Sequence, residues 1–233
     1  MSEELFRALV GSQAHGLANP ESDHDYRGVF YVPTCELLRV TKGPTKHTSW
    51  NEGENDDTLW EIGHFLFLAT KCNPTILETF TAPIAQCADS EKEWVTGLRD
   101  LFPYIWNPTA VAASHIGYGL NQRKKFLENK DNRRAKYAVA YLRVLYQACE
   151  LLRVGDLVVN MTDTPIFGTL KKWRKGEFTI GEVVDLTEQW VERVRMWENK
   201  HRGNPNYDPE AVDRWLLEFR KAHWYLGGEK PCE

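Results

Sequence analysis

The rhythm of apolar and polar positions changes about a third of the way along the chain. Up to about residue 65 the apolar residues come in short runs cut by turn chemistry: residues 5–10 ending at Gly11-Ser12, residues 26–32 closed by Pro33, a weakly alternating stretch at 45–50, and residues 58–62. Short runs bounded by Gly, Pro, Asn or Ser predict strands and turns. Asn19-Pro20-Glu21-Ser22 predicts a turn, residues 35–41 a short helix or strand before Lys42-Gly43-Pro44, and residues 51–57 a charged, hairpin-like loop. Residues 63–71 are apolar, Asn73-Pro74 punctuates them, and 75–80 begins a short helix; beyond about residue 90 helical spacing dominates, limited but not removed by Pro103, Pro108 and Gly117. The clearest helix spans 133–154, apolar around most of its circumference and stopped by Gly155. A basic short helix at 170–175, a helix from Thr179 or Gly181 to about 200, and a last one opened by Asp208-Pro209-Glu210 and running to about 226 complete the pattern. Strands first and helices afterwards predict an α+β protein.

Composition narrows the function classes. A chain of 233 residues can bury a sizeable core, and a net charge of −4 gives no global basic signal, so any nucleic-acid surface must be local. One candidate is residues 121–136, where Arg123, Lys124, Lys125, Lys130, Arg133, Arg134 and Lys136 face only Glu128 and Asp131. Such a cluster suits an RNA backbone or a triphosphate, and equally a solvated helix face. Cys35, Cys72, Cys87, Cys149 and Cys232 are odd in number and lack CxxC or Cys/His metal spacing, which predicts reduced thiols, a cytoplasmic protein and no zinc site. No signal-like N-terminus and no apolar run near 18 residues is present, so no membrane partner is expected. The nine tryptophans read as core filling before base-stacking platforms, and the seven histidines form no HxxxH pair.

The chemistry concentrates in residues 9–30, LVGSQAHGLANPESDHDYRGVF. Gly11 permits a tight turn, and Ser12 can present a hydroxyl and an N–H to a phosphate at a helix start. Eleven residues on come Asp23 and then Asp25, two carboxylates spaced to share one face of a strand. Like charges side by side resist joint ionisation, so a divalent cation, magnesium, best explains them.

The pattern GSxAxG, a Pro-containing turn, then SDxDxxGV resembles the active-site signature of the DNA polymerase beta type nucleotidyltransferase superfamily. Within it the chain is most similar to the predicted nucleotidyltransferases associated with RNA repair ligases. The resemblance implies a small mixed β-sheet, palm-like catalytic domain over residues 1–85 and a helical domain over 86–233 that closes over the nucleotide. It also implies a Gly11-Ser12 turn gripping the triphosphate, and Asp23 and Asp25 as catalytic ligands of Mg2+ or Mn2+. A third acid is expected on a later strand. Glu61, flanked by Trp60 and Ile62, fits that place better than Asp57, whose neighbours Asn55, Asp56 and Thr58 read as a solvated loop.

The 133–154 helix carries one polar stripe, Lys136, Arg143, Gln147 and Glu150. Either it lines the cleft or it forms an internal salt-bridge set, Arg143 to Glu150 or between helices. The Lys-x6-Arg spacing ahead of a leucine-rich stretch and Gly155 also resembles the helical half of the family, which implies Lys136 and Arg143 as nucleotide ligands. Gly16 is expected to permit close packing, and His15 and Arg27 to be structural or to touch phosphate. The expected activity is metal-dependent transfer of a nucleoside monophosphate from an NTP such as ATP to a hydroxyl, releasing pyrophosphate, with RNA (a tRNA or a broken end) as acceptor. An inactive nucleotide-binding or regulatory module of the same fold is the alternative if Glu61 does not converge on Asp23 and Asp25. A DxD glycosyltransferase is more distant, because only 22 residues precede Asp23.

Overall fold

The structure, a computed structural model, describes residues 2–42, 47–51, 57–200 and 203–224. Five strands form one sheet: β1 Glu3–Val10, β2 Asp25–Tyr31, β3 Thr48–Asn51, β4 Asp57–Glu61 and β5 Ile84–Cys87, in the order β3-β4-β2-β1-β5. β2 and β4 are parallel, and the other neighbours are antiparallel, so the sheet is mixed. Most of the expected loop at 51–57 falls outside the described residues.

The connections are helical. A single turn, α1 Gly11–Ala14, joins β1 to the loop before β2, and α2 Thr34–Leu37 follows β2. Out of β4 the chain passes directly into α3 Ile62–Thr70, then α4 Pro74–Thr81, which Asn73 caps through its Oδ1 on the Thr75 and Ile76 amides. After β5 come α5 Lys92–Asp100, α6 Phe102–Ile105, α7 Pro108–Glu128, α8 Arg134–Val154, α9 Phe167–Arg174, α10 Ile180–Lys200 and α11 Pro209–Ala222. Their ends follow local chemistry. Asn107 and Asp208 cap helices that begin with proline, Thr179 and Glu182 exchange hydrogen bonds as a capping box, and Gly155 ends α8 in the left-handed region.

Two packing centres join into one core. Phe6 of β1 meets Phe65 of α3 edge-on, Phe65 stacks on Phe80 of α4, and Phe80 reaches Phe102 of α6. In the helical half α8 is the axis: Tyr141, Leu142, Leu145, Leu151 and Leu152 are buried against α7 and α10. Helices α7 and α8 cross so closely that a Cβ on Gly119 would stand 2.9 Å from the Tyr141 ring. The last helix returns to the sheet, where Phe219 stacks on Trp215 and meets Tyr31 edge-on. Among the described residues no helix is long and apolar enough to cross a membrane.

Candidate active site

The Gly-Ser turn and the aspartate strand are built against each other. Val10 pairs with Asp25 at the ends of β1 and β2, and the chain turns at once into α1 through Gly11 at φ +67°. A Cβ on Gly11 would stand 2.0 Å from Asp25 Oδ2, so only glycine fits against this carboxylate. Ser12 and Gln13 follow in the single turn, where the first N–H groups have no partner within the helix.

Asp23 lies in the loop ahead of β2 and is exposed, whereas Asp25 is half-buried. That loop is tied at Ser22. Its Oγ donates to Asn19 Oδ1 (2.6 Å) and accepts from the Asn19 amide (2.8 Å) and from Arg174 Nη2 of α9 (2.9 Å). Gln13 Nε2 donates to the Ser22 carbonyl at 3.2 Å, which links the loop back to α1.

Glu61 is elsewhere. It is buried at the far end of β4, opposite Phe30, which is five residues beyond Asp25 and so about 16 Å along the strand. Its Oε2 accepts the Gly63 amide at 2.8 Å as the cap of α3, and its Oε1 takes Arg220 Nη2 at 2.5 Å. Both oxygens are committed to the fold. Asp57 opens β4 beside Tyr26, and Arg7 Nη1 pairs with its Oδ2 while its Oδ1 is buried without a hydrogen-bond partner. Strand alternation puts Asp57, Tyr26 and Arg7 on one side of the sheet and Asp25 and Arg27 on the other. Among the described residues no three of His, Cys, Asp and Glu gather as a metal cage.

Arg143 is also committed. It is 9% exposed and donates from Nη1 to Glu78 Oε2 at 2.7 Å and to Gln147 Oε1 at 3.0 Å, while Gln147 Nε2 donates to the Val158 carbonyl. The other Glu78 oxygen holds His15 Nε2 at 2.9 Å, with Arg27 Nη1 at 3.9 Å. Burial alone would raise the Glu78 carboxyl, but Arg143, His15 and Arg27 outweigh it and hold it well below the usual carboxylate range. Burial, then the Arg143 charge, lowers His15, which favours the neutral ring. This network joins α1, β2, α4 and α8, and the Arg143 part of the polar stripe is an interhelix salt bridge. Glu150 instead pairs with Arg153 at 2.5 Å. Lys136 is exposed, seven residues and about 10.5 Å up the helix from Arg143. A cavity of about 20 Å³, bounded by Arg27, Thr75, Glu78, Tyr118, Arg143 and Gln147, adjoins the network and has room for a water rather than a nucleotide.

Sequence reasoning missed Glu78, Ser22 and Arg174. A charged residue among Ile76, Leu77 and Phe80 in a short apolar helix was the available signal for Glu78. Gly16 does permit a close approach, with Thr162 Oγ1 2.3 Å from where a Cβ would be, but its neighbour is the 160–162 segment. Within the basic run at 121–136, Arg123 pairs with Glu188 at 2.9 Å, Lys130 with Glu128 at 3.3 Å and Arg134 bonds the Phe126 carbonyl, Lys125 lies over Tyr137, and Lys124, Arg133 and Lys136 are exposed.

Residues 3–216 match the family described as RNA repair pathway DNA polymerase beta family. A curated relative, the uncharacterized 38.9 kDa protein in the nrdC-mobD intergenic region of enterobacteria phage T4, is 25% identical over 134 residues. That alignment takes in 52% of this chain and 38% of the phage protein, so the chain spans well under half the length of this relative.

Proposed function

Because the chain belongs to the RNA repair pathway DNA polymerase beta family, we propose that it transfers a nucleoside monophosphate from an NTP to an RNA hydroxyl, with pyrophosphate leaving. The observation that supports this reading is the close approach of Gly11 to Asp25, which holds the Gly-Ser turn against that carboxylate. Asp23 and Asp25 would hold a Mg2+ ion. A magnesium site commonly takes one or two carboxylates and fills its octahedron with substrate phosphates and water, so this pair is a sufficient protein donor set. The bound metal would lower the pKa of the attacking hydroxyl and draw charge from the triphosphate oxygens.

The protein's own part is orientation. Ser12 would offer its hydroxyl and N–H to the triphosphate, Gly11 would keep the turn within reach of Asp25, and Ser22 would hold the Asp23 loop between Gln13 and Arg174. Arg143 would act through Glu78 and His15 as a positioning residue, steadying α1 from the helical half.

One observation favours a second reading, an inactive nucleotide-binding or regulatory module: Glu61 is turned to Arg220 rather than to the aspartates. The test is incubation with each α-labelled NTP, Mg2+ or Mn2+, and total RNA, alongside Asp23→Asn. Label passing to RNA with wild type alone supports transfer and identifies the base. NTP binding without transfer supports the regulatory module.

A further inference from the structure

The acceptor strand needs a surface beside the metal loop, and the sequence Lys171-Lys172-Trp173-Arg174-Lys175 is placed to supply one. We infer that the exposed C-terminal turn of α9 is the docking surface for the backbone of a single-stranded RNA acceptor. The inference rests on the transfer reading above for the identity of the ligand, and on the following geometry for the place.

Trp173 is 4% exposed and anchors the helix in the core. Successive residues are rotated by about 100° in a helix, so with Trp173 pointing inward the four cations fan across the outward side. All four are exposed; after the Thr179 hydrogen bonds, the Lys172 charge contributes to lowering Glu182 on α10, and Lys171 lies over the Phe167 ring. The turn is fixed in place relative to the aspartates. Arg174 Nη2 donates to Ser22 Oγ at 2.9 Å, one residue before Asp23. The chain leading into α9 is stitched to α1, where the Met161 amide donates to the His15 carbonyl at 3.1 Å and Thr162 fills the space beside Gly16.

Charge distribution selects the partner. On a chain of net charge −4, four cations within five residues beside a loop that would hold Mg2+ and a triphosphate form a local anion surface. Cations at a helix C-terminus also offset its dipole, but one would serve for that. The longer basic run at 121–136 differs in place: Arg123, Lys130 and Arg134 are engaged with Glu188, Glu128 and the Phe126 carbonyl, whereas Arg174 bonds the Ser22 loop itself.

The test compares wild type with the triple variants Lys171→Ala/Lys172→Ala/Lys175→Ala and Lys124→Ala/Lys125→Ala/Lys130→Ala; Arg174 is kept because it holds the metal loop. Binding of a fluorescently labelled single-stranded RNA oligonucleotide is followed by anisotropy across a salt series, and binding of a labelled NTP in parallel. Three lost phosphate contacts predict a fall of roughly 2 in the slope of log K against log salt and roughly tenfold or more weaker RNA binding at low salt. That change should appear in the α9 variant only, with NTP binding unaltered. Equal RNA affinity and slope in wild type and the α9 variant would overturn the inference, as would an equal or larger loss from the 124/125/130 variant. A loss of NTP binding in the α9 variant would assign the turn to the triphosphate instead and overturn it too. Since binding is read without turnover, failure of the transfer reading alone leaves RNA binding at α9 intact.

Discussion

Glu78 Oε2 and Arg143 Nη1 meet at 2.7 Å in the interior, joining α4, which leads into the edge strand β5, to the central helix of the second half. With His15 on the other oxygen, the pair ties the Gly11-Ser12 turn to α8. Removing one partner of a buried pair leaves the other charge uncompensated and costs about 3–5 kcal/mol. Glu78→Gln is therefore expected to lower stability by about that amount in urea titration. A double replacement, Glu78→Leu/Arg143→Leu, should cost less than the sum of the singles. Additive losses would show that the two residues are not coupled.

Gly11→Ala probes the contact on which the site is built. An L residue at φ +67° costs about 1–2 kcal/mol, and the methyl must also displace Asp25 Oδ2. A displacement of about 1 Å in a catalytic group can cost on the order of 100-fold in rate. The variant should fold, with far-UV circular dichroism unchanged, and lose transfer by about that factor. Wild-type rates from Gly11→Ala would remove Asp25 from the mechanism.

Glu61 and Asp57 are both held by arginines of the fold, and replacing each distinguishes a structural acid from a third catalytic one. Glu61→Gln should reduce stability, because Arg220 loses its buried partner, while turnover per folded molecule stays within about threefold of wild type. Asp57→Asn should loosen Arg7 and leave turnover well above that of Asp25→Asn. Abolished turnover in a fully stable Asp57→Asn protein would make Asp57 a third metal ligand and contradict the two-carboxylate site.

Acid should destabilise the protein before its carboxylates titrate. His115 is fully buried, with Nδ1 on the Val111 carbonyl at 2.9 Å, and burial pushes its pKa down to about 4. Between pH 6.5 and 4 the unfolded chain binds a proton that the folded one refuses, so stability falls as pH falls, by roughly 3 kcal/mol over that window. His15, lowered by burial, adds in the same direction. Glu78, held low, contributes stability above the ordinary carboxylate range that is lost as pH drops below it. Urea midpoints at pH 7, 5.5 and 4 should decline throughout, and His115→Gln should flatten the decline. A flat profile from pH 7 to 4.5 would contradict the buried neutral histidine.

Local signals were legible in the sequence, and distant pairings were not. Asp208-Pro209 marked the start of α11, Gly155 the end of α8, and the contiguous run from Gly11 to Asp25 held the turn and both aspartates, because caps and motifs are read over a few residues. β5 was missed: four mostly exposed residues at an edge show no alternation. Gly117 does not interrupt α7, since a single helical glycine costs only about 1 kcal/mol and a side chain there would face open space. Glu61 read as a ligand because its partner, Arg220, is 159 residues away. The partners of Arg143 and His15 likewise lie 65 and 63 residues distant at Glu78, and spacing along one helix carries no trace of them.

Transfer at Asp23 and Asp25 is the central claim, and a single-turnover reaction with α-labelled NTP tests it most directly. Enzyme in excess is mixed with the NTP, Mg2+ and the acceptor RNA, and labelled RNA and released pyrophosphate are quantified together for wild type and Asp25→Asn. The account predicts equal amounts of both products from wild type and neither from Asp25→Asn, with the variant still folded by far-UV circular dichroism. Labelled RNA formed by Asp25→Asn at the wild-type rate would contradict it.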